Sequence, residues 1–296
     1  MAIFVKDLCP VCGCRRFRDF GEARQGGAPV RVPDGSRIVA CRDCRLIYVN
    51  PMPHWSGEEM ALLYDDSYFL HLKADERAQW LRMRRDVIPK KRFARIAPHI
   101  RAGARSLLEI GAGENAFMCR HLMRQGWRCA AQEPSPLYAE KLREISGLAV
   151  ETKDITELDG EYSLIFADSV LEHTPAPVNY YKKLAGLLAE GGVLYTVSPS
   201  EYSLYNFLRS RAAGAPRYIA PYEQPYHLVG FTKKALQICA KESGLRLAFY
   251  RKYNDYMAFQ TIHSNKHAAA KYPLALMFAL AQAAGLGTNG EALFRK

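Results

Sequence analysis

Four cysteines near the start of the chain have the types and spacing of a metal site. Cys9 and Cys12 form one Cys-x-x-Cys, and Cys41 and Cys44 form another, with twenty-eight residues between Cys12 and Cys41. Two residues between thiolates let both sulfurs reach one ion, and two such turns give a closed tetrahedral set, the donor chemistry of structural Zn2+. Four ligands leave no open coordination position, so such a metal would staple a small lobe rather than catalyse. Gly13 follows the first pair where a metal knuckle turns left-handed, while the second pair has Arg45 there, a less comfortable residue. Cys14 is a candidate substitute ligand, and buried or redox thiols without metal are the alternative reading. Cys119, Cys129 and Cys239 stand singly in helical or strand patterns and are expected in the core.

A second constellation lies in "SLLEIGAGENAFMCRHL", Ser106 to Leu122. An apolar strand ends in glycines at alternate positions, Gly111 and Gly113, and turns into a helix. Glycine there lets backbone approach a ligand at the carboxyl end of a strand. Twenty residues beyond Gly113, at the end of the next strand pattern, Glu133 is placed to accept hydrogen bonds from ribose hydroxyls. Together they imply an adenosine-containing cofactor. "GAGENA" satisfies the G-x-G-x-x-A of a dinucleotide site, but Glu109 in the strand would repel a diphosphate. An acid there suits S-adenosylmethionine, which presents an ammonium and a sulfonium.

The surrounding pattern says how these residues are held. From Ser106 onward, strand-length apolar runs ("SLLEIG", "WRCAAQE", "LAVETK", "SLIFAD", "GVLYTVS") alternate with helical patterns, the last helix, "PVNYYKKLAGLLAE", being closed by Gly191 and Gly192. Alternation of this kind predicts an α/β fold: a Rossmann-like, seven-stranded, mostly parallel sheet with a final antiparallel hairpin strand, preceded by a small zinc-ribbon lobe. "LRLAFYRKY" and "YMAFQTIH", meeting at Asn254-Asp255, are expected to form that hairpin. The expected domains are a ribbon lobe (1–55), a helical, basic lid and linker (56–105), the cofactor domain (106–265, with a substrate-loop insertion at 200–231), and a C-terminal helix and tail (266–296). That helix is expected to pack on the body or on a partner.

Half the residues are apolar and a quarter charged, the balance of a globular protein rather than a disordered one. The formal charge of +11 is uneven: residues 1–105 hold 20 Lys/Arg against 12 Asp/Glu. Much of the excess sits between Glu76 and Arg105, a stretch that Pro89 divides into two helical pieces. It reads either as an electropositive surface for phosphate or nucleic acid or as a solvated helix face. The first twenty residues hold no apolar core long enough for a signal peptide, and the longest apolar run, Tyr272 to Gly287, is too short to span a bilayer, so a cytoplasmic protein with no stable membrane insertion is expected.

The ordered motifs "LLEIGAGENAFMCRHLMRQGWRCAAQEPSP", "VETKDITEL", "EYSLIFADSVLEHTPAPVNYYKKLAGLLAEGGVLYTVSPS" and "YHLVGFTKKALQICAKESGL" resemble the class I S-adenosylmethionine-dependent methyltransferases. The similarity is to the bacterial branch with an N-terminal zinc ribbon, near the sugar C-methyltransferases and the ubiquinone-type enzymes. The resemblance covers about Cys9 to Leu247. It implies that Glu109, Gly111 and Gly113 line the methionine portion of the cofactor, Glu133 the ribose, and Asp154 with the Ile155 backbone the adenine. It further implies that Asp168 lies near the methionine end or the acceptor, and that Tyr64 and Tyr68 close over the cofactor. Two positions depart from the family pattern: Asn115 stands where a third glycine is usual, and Ser163 where an acid begins the fourth strand.

Methyl transfer to oxygen or carbon needs an oriented acceptor and a group to take its proton. His173 and His227 lie in the right zones for that role. Glu223 and Tyr226 join His227 in a loop that resembles the family's substrate-side loop, and the alternative for either histidine is a positioning or backbone-bonding role. Arg209, Arg211 and Arg217 could hold a phosphate or carboxylate of the acceptor. The expected activity is methylation of a small molecule such as a sugar nucleotide, glycan precursor or secondary metabolite, with a phosphate-bearing acceptor in view, by a monomer or homodimer. An RNA methyltransferase using the ribbon and basic helix is the first alternative, and a non-catalytic binding protein the second.

Overall fold

Two sheets organise the chain. The computed structural model describes residues 8–23, 30–53, 55, 59, 62–63, 81–101, 103–145, 147–212, 226–254 and 268–296. At the front, β1 (Phe17–Glu22), β2 (Arg37–Cys41) and β3 (Ile47–Asn50) form an antiparallel meander. Between the lobe and the body, residues 81–86 are helical, and α1 (Ile88–Ile96) carries Pro89 in its first turn, so the basic stretch divides beside proline as the sequence predicts.

The body follows as β4 (Ser106–Ile110), α2 (Phe117–Met123), β5 (Arg128–Gln132), α3 (Pro136–Arg143), β6 (Ala149–Glu151), β7 (Tyr162–Asp168), α4 (Pro177–Gly186) and β8 (Leu188–Pro199). After α5 (Leu204–Ala212) come β9 (Val229–Gly230), α6 (Lys233–Glu242), β10 (Arg246–Tyr253), α7 (Ala268–Ala283) and β11 (Asn289–Arg295). The large sheet has seven strands in the order β10-β11-β8-β7-β4-β5-β6. β4 through β8 run parallel, and β11 lies antiparallel between β8 and β10. Apolar side chains cover both faces: Ile96, Leu107, Leu122 and Leu142 on one, Leu108, Ile165, Leu184 and Leu236 on the other.

Three details differ from the sequence reading. The antiparallel partner of β10 is β11, so residues 289–295, read as tail, complete the sheet, while 256–263 lies outside the described residues. The helix expected to run to Gly191 stops at Gly186, and Leu188 already pairs with Tyr162. The register then jumps to Leu164 opposite Val193, so Gly191 and Gly192 sit in a bulge rather than at a helix end. A Cβ on Gly192 would stand 2.7 Å from the Ala189 carbonyl oxygen, which explains glycine there. Lastly, the substrate-loop insertion supplies β9 to the small sheet, whose order is β1-β2-β3-β9.

Part of the basic stretch is spent on the body, while Lys90 and Lys91 stay exposed. Arg92 pairs with Asp168, and Arg95 pairs with Glu291 on β11, a carboxylate with no exposed surface. Arg251 and the Tyr195 hydroxyl also donate to Glu291. α7 turns Phe278 and Ala281 inward and leaves Tyr272, Leu276 and Leu280 exposed. No described helix is long and apolar enough to cross a membrane.

Glu291→Ala strands two guanidinium groups and a buried hydroxyl, and should destabilise the protein by about 3–5 kcal/mol. Arg16→Ala removes only the exposed pair with Asp43 and should leave the urea midpoint where it is. Equilibrium denaturation of the two variants checks the contrast.

Candidate active site

The glycine turn forms as its spacing requires. Gly111 and Gly113 have φ of 61° and 58°, the left-handed region that side chains avoid. At Gly111 a Cβ would fall 2.5 Å from Val170 Cγ2, whereas at Gly113 it would meet nothing within 4 Å. Open space beside Gly113 is a cradle into which backbone faces without obstruction. The third left-handed residue of the turn is the fully buried Ala116 (φ 41°), not Asn115. Packing overrides the Asn preference there, and Ala116 opens α2 with no side-chain cap of its own.

Glu109 supplies that cap from the strand. Its carboxylate accepts from the backbone N–H of Cys119 at 2.7 Å and of Met118 at 3.3 Å, both in the first turn of α2. Burial pushes its pKa up, with those N–H groups opposing the shift. Glu133 is likewise buried and accepts from Gly113 N–H (2.7 Å) and Ser135 N–H (2.9 Å), so the ribose candidate and the glycine turn are fastened together. Asp154, exposed, accepts from Thr156 N–H at 2.8 Å, and the Tyr180 hydroxyl donates to it at 3.3 Å. Ile155 is buried beside it. These residues fit an adenosyl cofactor: an open cradle, a buried carboxylate across it, and an exposed acid beside an apolar side chain.

Asp168 ends β7 and is gripped by Arg84 at 2.7 Å and by Arg92. Burial works against the charge, but the two guanidinium groups outweigh it and hold the carboxyl at about 2. Arg84 also lies over the Phe117 ring, 5.5 Å from its centroid, which brings it to the mouth of the glycine turn. Sequence reading missed both arginines, because a charge-rich helix gives no sign of which cations turn inward. Ser163, where the family has an acid, exchanges hydrogen bonds with Ser106: Ser106 N–H donates to Ser163 Oγ and Ser163 N–H to Ser106 Oγ, each at 2.9 Å. The substitution joins β4 to β7 away from the cleft.

On the other side of β7, His173 and His227 meet with ring centroids 4.8 Å apart, and the Glu172 carboxylate lies within 4.8 Å of both. A carbonyl oxygen can only accept, so His173 carries its proton on Nδ1 and donates to the Tyr226 carbonyl at 2.7 Å. Burial, reinforced by His227, holds the His173 pKa at about 3. Tyr226 therefore contributes through its backbone. Glu223, Tyr64, Tyr68 and Arg217 lie outside the described residues, as does the Arg209 side chain, and Arg211 sits over the Phe207 ring.

The four cysteine sulfurs lie within 4.8 Å of one another, with Cys9–Cys44 and Cys12–Cys41 at 3.5 Å. Tetrahedral sulfurs around an ion at the usual zinc–sulfur distance would be about 3.8 Å apart, so the donor set fits that ion. Both knuckles turn left-handed, Gly13 at φ 68° and Arg45 at φ 61°. Cys14 stands outside the cluster and accepts from the Arg16 N–H. Cys119, Cys129 and Cys239 are buried.

The thiol cluster is tied to the histidines by hydrogen bonds. Thr232, which caps α6 by accepting from Ala235 N–H at 3.1 Å, donates to the Cys44 carbonyl at 2.7 Å. Val49 N–H donates to the Leu228 carbonyl, Leu228 N–H to that of Glu172, and β9 pairs with β3 through Ile47 and Tyr48. The segment after His227 thus hangs on the lobe.

Thr232→Val removes cap and tether together. It should cost about 1–2 kcal/mol and speed amide exchange at Val229 and Gly230, read by hydrogen–deuterium exchange. For His173, the folded value of about 3 lies below the free value of 6.5. Between the two, the unfolded chain binds a proton that the folded chain refuses. Stability is therefore intact above about pH 6.5 and declines as pH falls toward 3, and His173→Gln should flatten that decline in thermal melts.

Comparison with known proteins agrees with this geometry. The family model for the methyltransferase domain matches residues 78–248. Among curated proteins, the tRNA U34 carboxymethyltransferase of Syntrophotalea carbinolica is 29% identical over 113 residues, 35% of this chain. That of Shewanella sp. strain ANA-3 is 26% identical over 136 residues, 42% of this chain. The matches span only 35% and 38% of those relatives' lengths. Among solved structures, magnesium protoporphyrin IX methyltransferase from Synechocystis PCC 6803 superposes with a TM-score of 0.53 at 10% identity, covering 81% of this chain and 99% of that one. The 1,6-didemethyltoxoflavin N1-methyltransferase of Burkholderia thailandensis gives a TM-score of 0.50 at 15% identity, covering 91% and 99%. With the family model covering more than half the chain and the glycine turn in place, this protein belongs to the methyltransferase-domain family.

Proposed function

We propose that this enzyme methylates an oxygen or carbon of a small-molecule acceptor, with His227 as the group that takes the acceptor's proton and His173 as its neutral, positioning neighbour. The observation that carries this reading is the histidine pair at the end of β7, anchored through the Tyr226 carbonyl. A group that loses its proton near pH 3 is too weak a base for the task, which leaves the role to His227. Glu223 and the Tyr226 side chain are further candidates in the same loop. Gly111, Gly113 and Glu133 would hold the methionine and ribose portions of S-adenosylmethionine, with Asp154 and Ile155 at the adenine and Tyr64 and Tyr68 closing over it. Glu109 would act on the cofactor through α2, whose N-terminus it charges, and Asp168 by fixing Arg84 at the methionine end. Bound there, the cofactor supplies an electrophilic methyl group. Cys9, Cys12, Cys41 and Cys44 would hold a structural Zn2+.

RNA is the second reading, and the curated relatives that act on tRNA favour it. Against it, Arg84, Arg92 and Arg95 of the basic helical stretch face buried carboxylates and cannot also face a phosphate backbone.

Calorimetric titration with S-adenosylmethionine should show binding that Glu133→Ala abolishes and His227→Asn leaves unchanged. Transfer of labelled methyl to a panel of sugar nucleotides, phenols and unmodified tRNA then separates the readings. His227→Asn should lower kcat about 10²–10⁴-fold on the accepted substrate. Transfer to tRNA alone would replace the small-molecule reading, and undiminished kcat in His227→Asn would remove His227 from its role.

A further inference from the structure

At the end of the large sheet away from the glycine turn, roughly 20 Å along β8, lies a cavity of about 600 Å³ bordered by His99, Arg101, Arg246, Arg295 and Lys296. No Asp or Glu lines it. Arg84, Arg92, Arg95 and Arg251 each face a buried carboxylate, but among the described residues none of the four cations here has an acidic partner. Arg246 and Arg295 are direct cross-strand neighbours on β10 and β11. Like charges in that position destabilise a sheet. The Arg295 Nε is buried and has no hydrogen-bond partner among the described residues. Its Nη2 meets His99 Nδ1 at 3.2 Å, and since a guanidinium only donates, Nδ1 accepts and the imidazole presents Nε2–H. Burial and the charge of Arg295 lower the His99 pKa, in keeping with an Nδ1 that accepts. Lys296 is steadied by donating to the Leu188 carbonyl at 2.6 Å.

The lining side chains therefore offer donors, converging from the turn after α1 and from two neighbouring strands, and an anion among them would relieve their mutual repulsion. Planar carboxylates match a single guanidinium fork, whereas donors arriving from several directions match a tetrahedral oxyanion. We propose that this cavity binds a phosphate group, with Arg246 and Arg295 as its principal ligands and Arg101 and Lys296 at the rim. The site is separate from the cofactor cleft and does not depend on which acceptor is methylated. The phosphate belongs either to a small phosphorylated molecule or to a nucleic-acid backbone, and the chemistry of recognition is the same.

The test uses the full chain and the double variant Arg101→Glu/Arg246→Glu, in which two exposed side chains are reversed in charge. Inorganic phosphate is titrated at constant ionic strength against chloride, following His99 ring resonances and the melting temperature, and a 20-nucleotide RNA is titrated in parallel. Phosphate should shift His99 and raise the melting temperature, with affinity at least tenfold weaker in the variant. S-adenosylmethionine affinity should be the same in both proteins. If RNA binding also falls tenfold and phosphate competes with it, the natural ligand is a phosphodiester backbone; if RNA binding is unchanged, it is a small phosphate. Either supports the site. A phosphate response no larger than that to chloride, or one that survives charge reversal, overturns it, whatever the outcome of the acceptor screen.

Discussion

A carboxyl group taken out of water needs hydrogen-bond donors to replace that water, and four buried ones organise this structure. Glu109 takes the N–H groups at the start of α2, and Glu133 takes those of Gly113 and Ser135. Asp168 takes two arginines, and Glu291 takes two arginines and a tyrosine. Each pairing locates an element: the helix after the glycine turn, the turn itself, the basic stretch over the cleft, and α1 against the last strand. Desolvation of this kind is costly unless paired, so these contacts limit the arrangements open to the chain more than they add to its stability. The two carboxylates at the glycine turn are fastened through backbone N–H groups, so they hold the cradle's shape without competing side-chain cations.

The lobe and the body share more than a linker. Cys9, Cys44 and Leu46 pack in the same apolar cluster as Leu184 and Leu236, and β9 carries the segment after His227 into the small sheet. A metal ion in the four-thiol cluster would therefore bear on the segment that carries His227, through Thr232 and the Cys44 carbonyl, while leaving the glycine turn to its own carboxylates. The histidine pair and the glycine turn are thus separately supported, one by the lobe and the other by buried carboxylates.

Cations divide along the same physical line. Those paired with buried carboxylates are part of the scaffold, and a count of Lys and Arg from Glu76 to Arg105 overstates the free positive surface. At the far end of the sheet Arg246 and Arg295 face one another with no acidic side chain lining the cavity between them. Net charge in the sequence reports only a sum; its effect depends on which carboxylate each cation reaches.

Local signals in the sequence were enough for the parallel strands, the glycine turn, the proline break at 89 and the two cysteine knuckles, because each depends on residues a few positions apart: alternating apolar runs, left-handed backbone, and paired thiolates. Short-range rules failed where distant residues compete. Gly191 and Gly192 read as a helix end but form a bulge, since Leu188 already pairs with Tyr162. Asn115 stands where the family pattern has a third glycine, yet the left-handed residue of the turn is the buried Ala116. The strand completing the sheet comes from 289–295, because β-pairing has no characteristic sequence separation. In the same way, the sequence alone determined that Glu109 would lie in the first strand of the body and that His173 and His227 would lie in segments following later strands. Only the tertiary structure decided that Glu109 caps a helix, that Asp168 meets Arg84 and Arg92, and that the two histidines touch, because burial and charge pairing depend on what the rest of the chain brings within reach.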